Sequence, residues 1–268
     1  MGLITPQTGL YQGLRTGAPS NRSRSTYCQE AKNLFERMST APTNELKIRI
    51  NNIILALINA NFWSRFDIFY YFGVETQDQA ILNWVSTNYP VTVMNSCTFV
   101  QNSGYEGDGV SMYLRSEFIS SNGVQYQQNN ASVGSIFYKL PTTNLRMLYG
   151  TRYATTWSTS ERYYSGDFEY ITLNTTTTTA AGLNRTINSL IVYNRENDST
   201  IQGYLNGGSK KNISLTSTGR STSKTAIHTL LYGTTTELFG QGGCKLFFMG
   251  ANFTESENAT LANILLNI

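Results

Sequence analysis

The 268-residue chain has few charged side chains. Asp, Glu, Lys and Arg together make up 14% of it, and the formal net charge is +3. Charges of one sign form no long run, and Arg22 and Arg24 near the N-terminus are too few for a nucleic-acid-binding arm. The composition therefore argues against a polyanion-binding protein, and we expect no nucleic acid among its partners.

Cysteine is scarce, and Cys28, Cys97 and Cys244 lie far apart in the sequence. An odd number of cysteines at such spacings predicts neither a disulfide framework nor a CxxC metal site. Free cysteine is among the most buried residue types in proteins. We therefore expect three buried free thiols.

The sequence also lacks the long apolar segments of membrane and secreted proteins. No apolar run approaches the roughly 20 residues that a membrane-spanning helix needs. Residues 1–17 have no apolar core of the kind found in a signal peptide. We expect a soluble protein made in a cytoplasm, with no membrane among its partners.

Catalytic signatures are missing as well. The HExxH, P-loop and GxSxG patterns do not occur, and neither does GxGxxG with its downstream acid. The single histidine, His228, alternates with Ile227 and Thr229 in TAIHTLLYG, as a packed or surface strand residue would. A glycosidase needs two nearby carboxylates, and the nearest pair is Asp167 and Glu169 in GDFEY. A solvated strand face is the simpler interpretation of this pair, so we expect no enzyme activity.

Asp108 is the best candidate for binding an ion. It follows Glu106 in GYEGDGVS, but Ca²⁺ takes six or more oxygen ligands, several of them from carboxylates. The alternating acids of a dedicated calcium loop are absent. We expect neither a metal nor another cofactor, and we interpret this segment as a strand–turn–strand.

Aromatic and small polar residues are abundant, with 17 Tyr and 13 Phe. Aromatic and β-branched residues favour strands, while Asn, Ser and Gly favour turns. Many short strands with regular turn signals predict a β-sandwich from residue 62 onward, interrupted by a short helix over Gln77–Val85. The predicted strands are Phe66–Phe72, Val91–Met94, Val110–Leu114, Ser132–Lys139, Leu145–Tyr149, Phe168–Leu173, Ile187–Tyr193, Ile201–Leu205, Ile227–Tyr232 and Lys245–Gly250.

Residues 1–61 are predicted to anchor and oligomerise the protein. The first 24 residues cannot form a core of their own, so their apolar residues should be held by a neighbouring subunit or assembly. These anchors are Leu3, Ile4, Leu10 and Tyr11. Two amphipathic helices follow, the first with its start predicted by the capping-box spacing of Thr26 and Gln29.

The second of these helices is apolar on more than one side. Its main stripe consists of Leu46, Ile50, Ile53 and Leu57. Ile48 and Leu55 add apolar surface on another side. Such a helix is usually buried on more than one side, so we assign this stripe to anchoring and self-association.

The chain closes with an amphipathic helix. Thr254 and Glu257 have the spacing of a capping box. Leu261, Ile264, Leu265 and Ile268 then follow at helical spacing. We expect this helix to lie on the sandwich or on a partner.

One aromatic segment, YATTWSTSERYY, is the candidate carbohydrate site. Aromatic rings suit the apolar faces of sugars, and neutral polar side chains suit their hydroxyls. The segment supplies Tyr153, Trp157, Tyr163 and Tyr164 among Thr and Ser, at what we interpret as a hairpin tip. Cross-strand aromatic pairing or a subunit contact is the alternative.

Four segments resemble a known group of domains. They are FWSRFDIFYYFGVETQDQAILNWVS (62–86), NSCTFVQNSGYEGDGVSMYLRSEF (95–118), STIQGYLNGGSKKN (199–212) and FFMGANFTESENATLANILLN (247–267). Their order and spacing resemble the concanavalin-A-like, LamG-type jelly-roll domains of tailed-phage virion proteins, such as head and tail fibres. The resemblance covers residues 62–268, and residues 1–61 match no family that we can name.

The resemblance implies a mainly β protein. A concanavalin-like jelly-roll sandwich at 62–268 would be preceded by an arm and two helices at 1–61. It implies a structural appendage subunit of a virion, assembled in the host bacterial cytoplasm as an oligomer of itself, with threefold symmetry as in many fibres. Other virion proteins would bind through the N-terminal region. A module that binds host surface glycans is the alternative, and a capsule depolymerase acting through Glu169 is the third hypothesis.

Overall fold

The computed structural model describes residues 27–143, 146–153, 156–164 and 168–267. The predicted anchors Leu3, Ile4, Leu10 and Tyr11 lie outside these residues. The described helices are α1 Gln29–Arg37, α2 Asn44–Asn59, α3 Gln77–Ala80 and α4 Glu255–Leu266. Within the described part of the chain, no helix combines the length and the apolar character that a membrane crossing requires.

The described residues form seventeen strands. In chain order they are β1 Phe66–Tyr71, β2 Val91–Met94, β3 Thr98–Val100, β4 Gly104–Asp108, β5 Tyr113–Ile119, β6 Ala131–Lys139, β7 Arg146–Tyr153, β8 Thr156–Tyr164, β9 Phe168–Leu173, β10 Thr179–Ala180, β11 Leu190–Arg195, β12 Thr200–Leu205, β13 Lys211–Ser214, β14 Lys224–Ile227, β15 Leu230–Tyr232, β16 Thr235–Glu237 and β17 Gln241–Gly250.

The strands form two sheets. The first has the order β13-β12-β11-β6-β17-β4-β3, and β1 also pairs with the long strand β17. The second has the order β10-β9-β8-β7-β14-β5-β2, with β15 and β16 attached through β7. Between the strands that the structure describes, all pairs are antiparallel except one parallel rung between Leu231 and Thr151. The predicted sandwich of two antiparallel sheets, closed by a C-terminal helix, is confirmed.

Several predicted boundaries are wrong. The strand predicted from Ile187 begins at Leu190, and the strand predicted from Lys245 begins at Gln241. Three others are wrong for identifiable reasons. The helix predicted over Gln77–Val85 ends at Ala80, because the Asn83 side chain instead bonds to β1, accepting from Phe69 N–H and donating to the Asp67 carbonyl.

The strand predicted over Val110–Leu114 begins only at Tyr113, because Asp108 holds the preceding residues in a turn. The strand predicted over Ile227–Tyr232 is broken at His228, whose φ is 68°. A left-handed residue cannot continue an extended strand.

The structure confirms the predicted start of α4 but not the predicted start of α1. Thr254 and Glu257 form the predicted capping box at α4, and the Thr43 hydroxyl caps α2 by accepting from Leu46 N–H. At α1 the N-cap is Cys28, without a side-chain bond, in place of a start set by Thr26. There the Cys28 N–H donates to the Asn51 side chain of α2 over 2.8 Å.

The helices share one core with the sandwich. A single hydrophobic cluster contains residues of α1, α2, α4 and both sheets. The stripe assigned to self-association, Leu46, Ile50, Ile53 and Leu57, is at most 3% exposed within the chain. These four side chains therefore stabilise the fold of their own chain, and the second apolar side of α2 faces outward.

Candidate functional site

The aromatic residues predicted to bind sugar lie along β7 and β8. The register pairs Arg152 with Trp157 at one end of this hairpin and Arg146 with Tyr163 at the other. Tyr163 comes six positions after Trp157 on one strand, which is about 20 Å of extended chain. The side chains of Tyr153, Trp157 and Tyr164 lie outside the described residues. Tyr163 is half-buried against the core. The backbone therefore places Tyr153 and Trp157 at one end of the hairpin, and Tyr163 and Tyr164 at the other.

Glu169 points into the sandwich and not to solvent, contrary to the solvated strand face predicted from GDFEY. Its carboxylate accepts from Arg185 over 2.7 Å and from the Tyr193 hydroxyl over 2.9 Å. Arg185 also donates to Glu161 on the neighbouring strand over 2.7 Å. Arg185, Glu161 and Glu169 have side chains at most 1% exposed. Asp167, the other member of the predicted pair, lies outside the described residues.

The electrostatics of this buried cluster favour a neutral Glu169. Burial, followed by the charge of Glu161, raises the pKa of Glu169 to about 8, and Arg185 only partly offsets both effects. The two carboxylates raise the pKa of Arg185 despite its burial. This pKa keeps Glu169 protonated at neutral pH, beside the Arg185 guanidinium and the Tyr193 hydroxyl. A sugar chain has no access to these acids, so they are not a glycosidase pair in this structure.

Asp108 serves as the cap of a turn. Its Oδ1 accepts from the N–H groups of Val110, Ser111 and Met112, at 2.8 to 2.9 Å. Burial by itself would raise the pKa of Asp108, but these three hydrogen bonds outweigh burial and lower that pKa to about 2. Among the described residues, no group of three or more His, Cys, Asp or Glu is arranged to hold a metal ion.

His228 is a packed residue, which is one of the two alternatives that its sequence left open. Its ring is fully buried, and Nε2 lies 3.1 Å from the Tyr105 carbonyl. Burial lowers the pKa of His228 to about 4, although the Tyr105 bond opposes this shift. The imidazole is therefore neutral and sealed from solvent. Of the cysteines, Cys97 and Cys244 are buried free thiols as expected, whereas Cys28 is half-buried.

A concave site lies where α1 meets the segment after α3, a place that sequence reasoning missed. It is a cavity of about 380 Å³, within the range of small-molecule sites. Its lining comes from three separate segments: Glu30, Asn33, Glu36 and Arg37 of α1, Trp63 after α2, and Trp84, Val85, Ser86 and Thr87 after α3. We call it the two-tryptophan cavity.

Arg37 joins the two walls of this cavity. Its guanidinium donates to the carbonyls of Asn83, Trp84 and Ser86 at 2.6 to 3.0 Å. Three neutral carbonyls satisfy the donors of Arg37 without cancelling its charge. The segment after α3 is thereby fixed against α1, so the cavity is preformed.

The two tryptophans have different environments. Trp63 is half-buried in a 3₁₀ turn, Trp63–Arg65. Trp84 is 2% exposed, with its ring 5.6 Å from Phe69 and 5.4 Å from Tyr71. The Trp84 Nε1–H has no hydrogen-bond partner among the described residues, although a buried indole N–H usually has one.

The lining has the chemistry of a small polar ligand site. Glu30 and Glu36 form no ion pair within the described part of the chain, so their oxygens are open to accept hydrogen bonds. The Trp63 ring adds an apolar surface beside them. The ring of Trp63 and these two carboxylates can together bind and orient a molecule.

The comparisons with known proteins found similarity in structure only. No family model and no curated protein matches the sequence. Botulinum neurotoxin type C, whose entry into cells depends on interaction with two ganglioside molecules, superposes with a TM-score of 0.56 at 12% identity, over 77% of this chain and 53% of that one. The binding domain of botulinum neurotoxin DC, solved in complex with rat synaptotagmin II, gives a TM-score of 0.54 at 12% identity, over 76% of this chain and 52% of that one.

The receptor-binding domain of botulinum neurotoxin type G is similar in the same way. Its TM-score is 0.54 at 11% identity, over 75% of this chain and 51% of that one. The chain therefore spans about half the length of the solved structures it matches. At these identities the likeness establishes a shared lectin-like β-sandwich fold.

Proposed function

We propose that this chain is a non-catalytic, lectin-like module that binds a carbohydrate in the two-tryptophan cavity, carried on an appendage of a tailed-phage particle. The observation that carries the binding function is the preformed cavity with Trp63 beside Glu30 and Glu36. Sugars present apolar faces to aromatic rings and hydroxyl rims to carboxylates and amides. The solved structures that share the fold include the receptor-binding domain of botulinum neurotoxin type G and botulinum neurotoxin type C, whose entry into cells depends on gangliosides.

The non-catalytic part of the proposal is supported by the buried acids. Glu161 and Glu169 lie on neighbouring strands, but Arg185 fills the space between them. Hydrolysis would need a water and a glycosidic bond between two carboxylates. A capsule depolymerase acting through Glu169 would therefore have to open the core.

The phage location is supported by the sequence resemblance of residues 62–268 to virion jelly-roll domains. On this proposal the protein is part of a virion, where the sandwich contacts the host surface. Immunogold labelling of purified particles with an antibody to the chain tests it. Gold at a fixed place on each particle is expected, and unlabelled particles would contradict it.

The binding site is tested with an array of bacterial surface and capsule glycans, probed with the full chain. We expect binding to a limited set of glycans, and a loss of affinity of about tenfold or more in Trp63→Ala. Glu36→Gln, at an exposed position of α1, should weaken binding without disturbing the fold. Thermal melts of each variant separate lost binding from lost structure.

Trp157→Ala is the matched comparison, because Trp157 belongs to the aromatic segment on β7 and β8. It should retain binding if the two-tryptophan cavity is the site. Loss of binding in Trp157→Ala together with full binding in Trp63→Ala would move the site to that hairpin. No binding by the intact chain to any glycan would refute the carbohydrate function.

A further inference from the structure

Helix α2 has a regular stripe on its outward face. After its first residue, Asn44, its exposed positions are Glu45, Ile48, Asn52, Leu55 and Asn59. They alternate at spacings of three and four residues, which is the spacing of a and d positions in a coiled coil. Ile48 and Leu55 fall at d, and they are 51% and 41% exposed.

A cavity lies next to this stripe. A cavity of about 360 Å³ opens between α2 and α4, with Ile48, Asn52 and Ala56 on one side and Ile264 and Asn267 on the other. In a coiled coil, each a or d side chain inserts into a hole formed by residues of the facing helix. Ile48 and Leu55 are the projecting side chains, and their neighbours on α2 of a second copy would form the holes. The recess between α2 and α4 leaves this face of α2 open to that copy.

We propose that a second copy of this chain covers this face, with α2 packed against α2. Two copies in register bring Ile48 to Ile48 and Leu55 to Leu55. They also bring the two Asn52 amides together, where each can donate to and accept from the other. A buried Asn at an a position selects a partner with a matching Asn, and an identical helix supplies one.

The polar centre of the stripe argues for a second copy and against a lipid surface. Lys47 and Arg49 flank Ile48, but a lipid surface would leave the Asn52 amide without a hydrogen-bond partner, whereas an identical helix supplies one. Two d positions make a short seam, since coiled coils that stand alone need three or more heptads. We therefore expect a weak dimer whose formation depends on concentration.

This inference is independent of the sugar-binding proposal, because the stripe and the two-tryptophan cavity use different faces. Sedimentation velocity on the full chain, from about 1 to about 200 µM, should show the average mass rising toward twice the monomer. Ile48→Glu combined with Leu55→Glu should stay monomeric throughout. Both positions are exposed, so far-UV circular dichroism should show an unchanged fold.

A matched control changes apolar residues elsewhere on the surface. Val110 and Val124 are 72% and 75% exposed, so Val110→Glu with Val124→Glu should dimerise like the parent chain. A parent chain that is monomeric at every concentration would overturn the proposal. So would a dimer that survives the change at Ile48 and Leu55.

Cross-linking tests the register. In a Cys28→Ser background, Asn52→Cys should form a disulfide-linked dimer under mild oxidation, because paired a positions approach within disulfide reach. Ser209→Cys, an exposed control away from α2, should not. Equal cross-linking at the two positions, or none at Asn52→Cys, would refute packing of α2 against α2.

Discussion

At the scale of single residues, Arg185 determines how two acids can lie inside the sandwich. It bonds Glu169 and Glu161 over 2.7 Å each and also donates to the Ser135 hydroxyl over 3.1 Å. One cation cannot neutralise two carboxylates, so the second acid retains a proton. Removing one partner of a buried ion pair is costly, because the remaining charge stays desolvated.

Glu169→Gln should change how stability depends on pH. The unfolded chain releases the Glu169 proton above the ordinary pKa of 4.5, whereas the folded chain keeps it until about pH 8. The folded state binds more protons in this window, so this group lowers the unfolding free energy as pH rises, by on the order of 1 kcal/mol per pH unit. Below pH 4.5 both states hold the proton and the effect vanishes.

Glutamine has no proton to release, so the stability of Glu169→Gln relative to the parent should increase from pH 5 to pH 8. Urea denaturation at several pH values measures this difference. Glu117→Gln, at a part-exposed carboxylate, serves as the control. Parallel stability profiles for Glu169→Gln and the parent would mean that Glu169 is ionised in the folded protein.

Arg185→Met should be strongly destabilising, by about 3–5 kcal/mol, because it leaves a buried charge without a partner. Adding Glu161→Gln should recover part of the loss by removing that charge. Arg115→Met breaks a part-exposed ion pair with Glu117. It should lower the free energy of unfolding by no more than about 1 kcal/mol. Urea denaturation of the parent, the two single variants and the double variant measures these differences. An equal loss of stability in Arg185→Met and Arg115→Met would contradict the role assigned to the buried charge.

At the scale of elements, the start of α4 depends on one local hydroxyl and on one side chain from a distant part of the chain. The Thr254 hydroxyl accepts from Glu257 N–H, and the Glu257 carboxylate accepts from Thr254 N–H over 2.8 Å. Glu257 also pairs with Arg65 over 2.8 Å, which joins the start of α4 to the turn before β1. The local sequence predicts the first contact, and only the packed chain supplies the second.

Thr254→Ala should destabilise the protein by about 1 kcal/mol, because α4 loses its N-cap. Asn263→Ala, at an exposed position in the same helix, should be neutral or slightly stabilising, since alanine favours helix. Thermal unfolding of both variants measures the difference. Equal melting temperatures would show that the capping box adds nothing to stability.

At the scale of the whole molecule, the helices before residue 62 and the sandwich form one hydrophobic cluster. Helix α2 alone contributes five fully packed apolar side chains, Leu46, Ile50, Ile53, Ile54 and Leu57. Each contributes about 1.5–3 kcal/mol on burial, and their sum is comparable to the net stability of an ordinary domain. The boundary predicted between residues 61 and 62 therefore crosses a shared core.

We expect a chain of residues 62–268 to lose cooperative unfolding, because the sandwich face under α2 would be exposed. The full chain should unfold in one transition, with tryptophan fluorescence and far-UV circular dichroism changing together. Ile50→Ala, which keeps the whole chain, should lower the free energy of unfolding by about 2–5 kcal/mol. A truncated chain that melts sharply at the parent temperature would restore 61/62 as a domain boundary.

The fold class could be predicted because it depends on local patterns. Alternating apolar residues predict strands such as Phe168–Leu173 and Val91–Met94, whose bounds the structure matches. The Thr254–Glu257 spacing predicts the start of α4. These patterns act over a few residues, so one sequence suffices to find them.

The site depended on contacts between distant segments. Glu30, Trp63 and Trp84 meet only because α1 and the segment after α3 pack together through Arg37. The direction of Glu169 was likewise decided by Arg185, which lies 16 residues away in sequence. Periodicity indicates that a strand has two faces, but which face becomes the inside depends on the burial free energy of the whole sandwich. The same balance placed the Leu46–Leu57 side of α2 in the core and left Ile48 and Leu55 at the surface.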